Sequence, residues 1–478
     1  MLFSTSTIPT LRRVGLSDDE QRLLQRLSAE YRRTSRVMAL DDCYYRGEQI
    51  IKNLRLAVPA ELEQHLRTVV GWGASAVDPY VERLAVDCFR RADGTDGDAY
   101  LMELMEDAGY FAQESMAFTD ALSMGPAYWM GGSSREPGGR PVLTAESPLN
   151  VQVMWDLRWG TPSAAKMEYT EPGEERRRAA LLVPNQTVLL GQEAGGAWTV
   201  IGRDEHDFGF VPLVRMANQP RTRNPEGRSQ ITTALKSIID DACRTLLGLG
   251  VAREIYSAPG KAILGADENS FKRADGSDAS ALETYITKVL ALERDENGDL
   301  PEIHQFNAYD PSVFTKVLDW YASQAAGIVA ATPEDLGLYN QGNPASAEAG
   351  LIAEDRRNRR SKRIQRDFTR PLTEVARMLV RFDNDGELPE EYRRLTADWA
   401  PVEMEAPALW SDAISKQVAA GVVPATSDVV LKRLGYSAID RVRLQQDRAA
   451  DDARNLAQAL AAGMLPNQGA ASGSASGV

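Results

Sequence analysis

From Asn343 to about Phe382 the sequence carries one long helical pattern. Pro344 suits its first turn, with Asn343 as cap. Seven arginines lie along it: Arg356, Arg359, Arg360, Arg363, Arg366, Arg370 and Arg377. At about 100° per residue they fall within an arc of roughly 120°. Ile364, Phe368, Leu372, Val375 and Leu379 occupy a separate arc, nearly opposite. Such a helix packs along one side and presents a cationic face on the other. Pro371 is expected to kink it or split it in two. Three roles are open for the arginines. They can form a solvated face, pair with acids within the chain or across a subunit interface, or contact DNA phosphates. The 68 acids against 54 Lys and Arg favour pairing.

That acidic balance, a net charge of −14, argues against a wide surface that grips DNA. The chain either does not bind DNA or handles it without holding it tightly. Its 478 residues suggest two to four structural units, with 43% hydrophobic residues to build their cores. Cys43, Cys88 and Cys243 are far apart, form no CxxC, and read as reduced buried thiols. His65, His206 and His304 have no ligand partner at helical spacing, so no metal site is expected. There is no signal-peptide pattern at the start and no run of the roughly 20 apolar residues that a membrane span requires. Synthesis in the cytoplasm and no membrane contact are expected.

The fold class expected is α+β and mostly helical. Residues 17–46 read as a helix opened by a capping box, Ser17-Asp18-Asp19-Glu20, and stopped at Gly47. Helical stretches are also expected over 75–89 and 98–124. Between about Ala127 and Ala217 glycine and proline become frequent, and strands are expected at 151–155, 180–183, 187–190, 198–201 and 211–216. Gly195-Gly196 marks a hairpin. A helix capped by Ser229 then carries Ile231, Leu235, Ile238, Ile239, Ala242, Leu246 and Leu249 on one face, to about Tyr256. A small α/β insert follows, with strands at 261–264 and 302–306 and a helix at 279–292. The next helix, 311–331, stops at Thr332-Pro333. After Trp410, short helices are expected at 408–420, 427–434 and 438–462, and residues 469–478 read as a disordered tail.

Catalytic motifs are missing. There is no G-x-x-x-x-G-K-[ST], no H-E-x-x-H and no G-x-S-x-G, so no catalytic residue and no cofactor is expected. Gly71-Trp72-Gly73-Ala74-Ser75-Ala76 fits a dinucleotide-binding turn, with Asp93 or Asp96 as the later acid. The residues before it make a poor strand, however, and Pro79 interrupts the helix that should follow. Asp295 to Asp299 has its glycine misplaced for a calcium loop. Asp240-Asp241 lacks a third carboxylate at a linked spacing and reads as a helix edge.

Five runs, in order, resemble the portal proteins of siphovirus-like bacteriophages, particularly those of actinobacteria. They are Tyr44-Tyr45-Arg46-Gly47; Val77 to Leu84; Gly227-Arg228-Ser229-Gln230-Ile231; Thr332 to Gly337 with Asn343 to Ala349; and Ser411 to Gln417 with Gly421 and Leu434-Gly435. In the third, Gln230 stands where the family usually has an acid. The resemblance spans roughly 20–450 and implies a portal fold with wing, stem, clip and crown. N-terminal helices and a β-rich wing take 1–228, a first stem helix 229–256, an α/β clip 257–310 and a second stem helix 311–336. A tunnel loop takes 337–345, a long wing helix and following segment 346–407, and a helical crown 408–468.

The resemblance further implies a dodecameric homo-oligomer at one capsid vertex of the virion, through which the genome is packaged and ejected. The implied partners are the terminase large subunit, a head-completion or adaptor protein, and the major capsid and scaffolding proteins. Double-stranded DNA would be contacted weakly and without sequence preference. Leu338, Tyr339, Asn340, Gln341, Gly342 and Asn343 would face the DNA, in a loop with no Lys or Arg from Leu336 to Ser346. Arg356, Arg359, Arg360, Arg363, Arg366 and Arg370 would meet a neighbouring subunit or another acidic partner. Lys261, Glu283, Lys288 and Glu302 would be partner-binding positions of the clip. The alternative is a non-viral oligomeric scaffold or adaptor without a DNA role.

Overall fold

The computed structural model describes residues 15–50, 68–256, 261–264, 302–305, 310–331, 334–337, 347–402 and 414–461, apart from scattered positions within them. The chain divides into two compact units. The first takes 1–42, 77–230 and 355–478, and the second 43–76 and 231–354.

Helix α1, Asp18–Arg46, opens with the expected capping box. Ser17 N donates to Glu20 Oε2 at 2.8 Å, and Glu20 N to Ser17 Oγ at 3.3 Å. Gly47, at φ 66°, ends it, with Glu48 N donating to Cys43 O. In the first unit, α1 lies on one face of a five-stranded antiparallel sheet. Its strands run in chain order: β4 Val151–Asp156, β5 Thr161–Thr170, β6 Arg177–Val183, β7 Gln186–Gln192 and β8 Trp198–Glu205. Leu24 and Leu27 of α1 pack on Ala179, Leu181, Val188 and Leu190. The opposite face packs on a three-stranded sheet ordered β3-β2-β9: Val142–Glu146, Pro126–Gly132 and Leu213–Ala217. Tyr128, Met130, Val151, Ala165, Met167, Leu182 and Leu213 form that core. The expected strands are present. Pro126–Gly132, Val142–Glu146 and Thr161–Thr170 are additional ones.

Two expected helices are corrected. Within 75–89 only the single turns α2, Trp72–Ser75, and α3, Asp78–Val81, are helical. Val86–Arg91 is instead a strand, β1, paired antiparallel with Leu395–Trp399 far along the chain, here β12. Backbone pairing with that distant segment overrides the local helical pattern. The stretch 98–124 is two helices, α4 Ala99–Asp107 and α5 Glu114–Met124, broken where Gly109 adopts φ 83°. Asp98 caps α4, accepting from Leu101 N at 3.2 Å.

The second unit is built on α6, Thr233–Tyr256, and α7, Ser312–Val329, which pack together. Thr232, not Ser229, caps α6, through Leu235 N to Thr232 Oγ1 at 3.3 Å. Leu235, Ile239, Ala242 and Cys243 of α6 and Ala322, Ala325, Ala326 and Val329 of α7 are all buried. Gly248 brings α6 close to Phe314, where a Cβ would sit 3.1 Å from the ring. α7 ends at Ala330 in the left-handed conformation, before the expected Thr332-Pro333 stop. Strands β10, Lys261–Leu264, and β11, Glu302–Gln305, pair antiparallel. The expected helix at 279–292 and the loop at 295–299 lie outside the described residues.

The long helix α8 runs Ala347–Asp383 without a break at Pro371, so the expected split does not occur. A proline removes one hydrogen bond and crowds the preceding turn. Here Phe368, Leu372 and Val375, all wholly buried, hold the turns on either side. Phe368 stacks on Phe118 of α5 at 5.7 Å between ring centres. The last helix, α9, spans Ala438–Ala461, and its buried Arg441 pairs with Asp87 at 3.1 Å. Cys88 and Cys243 are buried as expected, whereas Cys43 is half-buried; none of the three is in a disulfide.

Candidate functional site

The two faces of α8 separate as the arginine spacing requires. Ile364, Phe368, Leu372, Val375 and Leu379 are buried, and Arg356, Arg359, Arg363, Arg366 and Arg370 are exposed. Two arginines pair with acids on the same helix. Arg359 meets Asp355 at 2.6 Å and Arg377 meets Glu374 at 2.7 Å. Arg360, half-buried, reaches the Tyr80 hydroxyl at 3.5 Å. Arg363 and Arg366 act on Asp367, whose carboxyl burial nonetheless pushes above the usual carboxylate range.

Arg370 and Arg377 line a cleft of about 1000 Å³ in the first unit, between α8 and one end of the five-stranded sheet. Its rim is the tight β4–β5 turn. Asp156 Oδ1 accepts from the backbone N–H groups of Arg158, at 2.8 Å, and Trp159, at 3.2 Å. Asp156 O accepts from Gly160 N at 2.7 Å, with Gly160 at φ 67°. This turn holds Trp159 out in solvent, 69% exposed, with the Arg158 guanidinium 5.2 Å from its ring centre. On the wall, Arg215 lies 4.0 Å from the centre of the Trp155 ring and pairs with Glu226 at 2.5 Å. Arg381 lies over Phe210 at 5.0 Å. The cleft is therefore cationic and aromatic. The arginine spacing indicated one wall of it. The rest was missed because its residues come from β4, β5, β9 and α8; the only local signal was the Asp156-to-Gly160 turn.

Beside the cleft, the Gly227-Arg228-Ser229-Gln230 run forms a backbone knot. Asn218, wholly buried, donates from its N to Gly125 O and accepts at its O from Arg228 N. Its side-chain Nδ2 donates to Arg228 O at 2.7 Å. Gly227 sits at φ 82°, and a Cβ there would lie 2.5 Å from Asn218 O. The Arg228 guanidinium holds Gln219 Oε1 at 2.7 and 3.0 Å. The motif therefore has a structural use, in which no other residue fits at 227.

In the second unit Gly73 of the dinucleotide-like run is also structural. Gly73 lies in α2, where a Cβ would fall 2.1 Å from the Tyr44 carbonyl oxygen. Trp72 Nε1 donates to Leu336 O at 3.2 Å and anchors the turn Glu334–Leu336. The Tyr44 hydroxyl donates to Asp240 at 2.7 Å, and Asp241 pairs with Arg244 at 2.7 Å. Burial and the Asp240 carboxylate push the Tyr44 phenol well above its ordinary range. Both acids of the Asp240-Asp241 pair are thus engaged. Among the described residues, no group of three or more His, Cys, Asp or Glu is placed to hold a metal ion, and no helix is long and apolar enough to cross a membrane.

Leu338, Tyr339, Asn340, Gln341, Gly342 and Asn343 lie outside the described residues, as do Glu283 and Lys288. Lys261 opens β10 and Glu302 opens β11, at opposite ends of neighbouring strands' sequence but on one ladder, where Lys261 faces Gln305 and Glu302 faces Leu264.

The family described as phage portal protein, SPP1 Gp6-like, matches residues 25–457. The portal protein of Mycobacterium phage D29 is 28% identical over 411 residues, covering 84% of this chain and 83% of that protein. The portal protein of Mycobacterium phage L5 is 26% identical over 452 residues, covering 92% and 90%. Among solved structures, a chain from the neck of a native gene transfer agent particle, computed with C12 symmetry, is similar at a TM-score of 0.43 and 16% identity, covering 80% of this chain and 94% of that one.

Proposed function

The chain belongs to the SPP1 Gp6-like family of phage portal proteins, and on that premise we propose that it forms a closed ring at one capsid vertex through which double-stranded DNA enters and leaves. The observation that carries this reading is the family match over residues 25–457, which takes in both compact units. A ring needs a heterologous contact whose rotation closes, so each copy must offer two different, complementary surfaces. Within this reading the β-rich first unit serves as the wing, α6 and α7 as the stem, and the insert containing β10 and β11 as the clip. The segment 337–345 serves as the tunnel loop and the C-terminal helices as the crown. The clip meets the terminase large subunit and later a head-completion protein.

The charge supports passage rather than capture. Each copy carries −14, so a ring of many copies repels phosphates and avoids the counterion release that tight binding exploits. Between Leu336 and Ser346 there is no Lys or Arg, which leaves only weak polar contacts to DNA. The Trp72 indole on Leu336 O supplies a fixed footing just before that segment.

Electron microscopy of the purified full-length protein tests the reading. The expected result is closed rings with a central hole wide enough for one duplex. A population that stays monomeric or dimeric at all concentrations overturns it.

A further inference from the structure

Helix α8 leaves most of its arginine line unpaired. From Glu354 to Arg370 it carries eight Lys and Arg against three acids. Arg356, Arg359, Arg363, Arg366 and Arg370 recur at alternating steps of three and four residues, which sets them in one line about 21 Å long. Asp355 holds Arg359. Among the described residues, Arg356, Arg363, Arg366 and Arg370 are exposed and have no ion pair or hydrogen bond.

The same unit collects the opposite charge past the end of α8. There Gly386 packs against the Asp207 backbone, its Cβ position 4.0 Å from the carbonyl oxygen. Phe208 meets Phe382 edge to face, with ring centres 4.7 Å apart. These contacts set Asp207, with Asp204 and Glu205 just before it at the end of β8, beside Asp385 and Glu387. All five acids are exposed, and none has an ion pair among the described residues. In the segments 203–207 and 381–394, Arg203 is held by Glu20 and Arg393 by Glu390. Burial pushes the His206 imidazole below its ordinary range, so it adds no charge at pH 7. Arg381, which lies over Phe210, and Arg394 remain against the five acids.

The two surfaces do not neutralise each other within one chain. Arg370 stands about 20 Å from the end of α8 at Asp383, well beyond the roughly 8 Å screening length of physiological salt. A duplex is the other polyanion an arginine line could meet. A chain of net charge −14 repels it, whereas a second copy offers a matching acidic surface.

We infer that the arginine line of one copy seats against the Asp207 and Glu387 surface of the next, a contact that rests on the ring reading and names the two faces it requires. One cationic and one acidic face on the same chain give the head-to-tail complementarity of a heterologous contact. In a closed ring every arginine line finds an acidic surface and none is left over.

The test uses two full-length variants. One carries Arg363→Glu with Arg370→Glu, which turns the arginine line acidic. The other carries Asp207→Lys with Glu387→Lys, which turns the acidic surface cationic. Asp385 stays in place because its φ of 51° suits Asp better than a long side chain. Each variant alone is expected to lower the assembled fraction, read by sedimentation and electron microscopy, at least about tenfold, with an unchanged circular dichroism spectrum. An equal mixture of the two is expected to restore rings, with native mass spectrometry finding both variants in equal numbers. Only strict alternation pairs acid with base at every contact. The inference is overturned if either variant assembles alone as wild type does, or if the mixture stays unassembled while wild type forms rings; the ring reading stands in both cases. Loss of duplex binding by the arginine variant, with assembly intact, assigns the line to DNA and also overturns the inference. If wild type forms no rings, the ring reading fails and this contact with it.

Discussion

Two helices of the first unit begin with a glutamate in their first turn, and the two glutamates behave oppositely. Glu20 opens α1 beside β8, and Glu114 opens α5 beside β1. Both sit at the positive end of a helix dipole, an effect of about 0.3–1 kcal/mol, so the dipole cannot distinguish them. The surroundings do. Arg203 grips both carboxylate oxygens of Glu20, one at 2.8 Å, and with the Ser17 capping bonds it holds the carboxyl at about 2. Glu114 has no cation among the causes acting on it, and burial pushes it up to about 7 despite help from the Tyr110 hydroxyl and the Val86 amide. A glutamate in the first turn is a charged clamp in one helix and, in the other, a half-buried acid that burial pushes up to about 7. Desolvation decides wherever no counter-charge is built in.

The sharpest way to break this contrast is to remove the cation. Arg203→Met is expected to destabilise the fold by about 3 kcal/mol at pH 7, because Glu20, with a side chain only 15% exposed, is left without its partner. Urea unfolding measures this, and the pH profile checks the mechanism. Glu20 has its folded pKa below the unfolded value of 4.5, so its stabilisation is complete above about pH 4.5 and is lost as pH falls toward 2. Arg203→Met should flatten that acid slope.

The second effect has the opposite sign. Glu114 has its folded pKa above the unfolded value, so its cost appears as pH rises from 4.5 and is complete above about pH 7. Glu114→Gln is expected to stabilise by about 1–2 kcal/mol at pH 8 and by nearly nothing at pH 4. A gain at pH 4 equal to that at pH 8 rejects the buried-acid account. The smallest effect comes from the cap itself. Ser17→Ala is expected to cost about 1 kcal/mol. It removes one N–H partner at the start of α1 and leaves the Arg203 pair in place.

The same balance of local and distant causes explains which elements were legible. The α1 capping box, the Gly47 stop, the apolar arc of α8 and the strands 180–183 and 187–190 follow from residues within one or two turns of each other. β1 was read as helix because its pairing partner is β12, with Arg90 bound to Asp398 at 2.8 Å. β2 was missed because Pro126 to Met130 is a buried apolar run, which has no period to read. Pro371 is expected to kink or split α8; the helix continues through it, and wholly buried residues hold the turns on either side. In the candidate site, the arginines were visible by spacing, and the aromatic half of the cleft was not.

Sequence alone determined the family, the α+β character, the acidic balance and the amphipathic split of the long helix. Each depends on residue order or on neighbours a few positions apart. Only the tertiary structure decided what the glycines and charges are for. Gly73 is required by the Tyr44 carbonyl, Gly227 by Asn218, and the opposite titration of Glu20 and Glu114 by the presence or absence of one guanidinium. The same holds for the arginine stripe. Its spacing marks a cationic face, but the cleft that gives this face a shape exists only once β4, β5 and β9 are folded against α8.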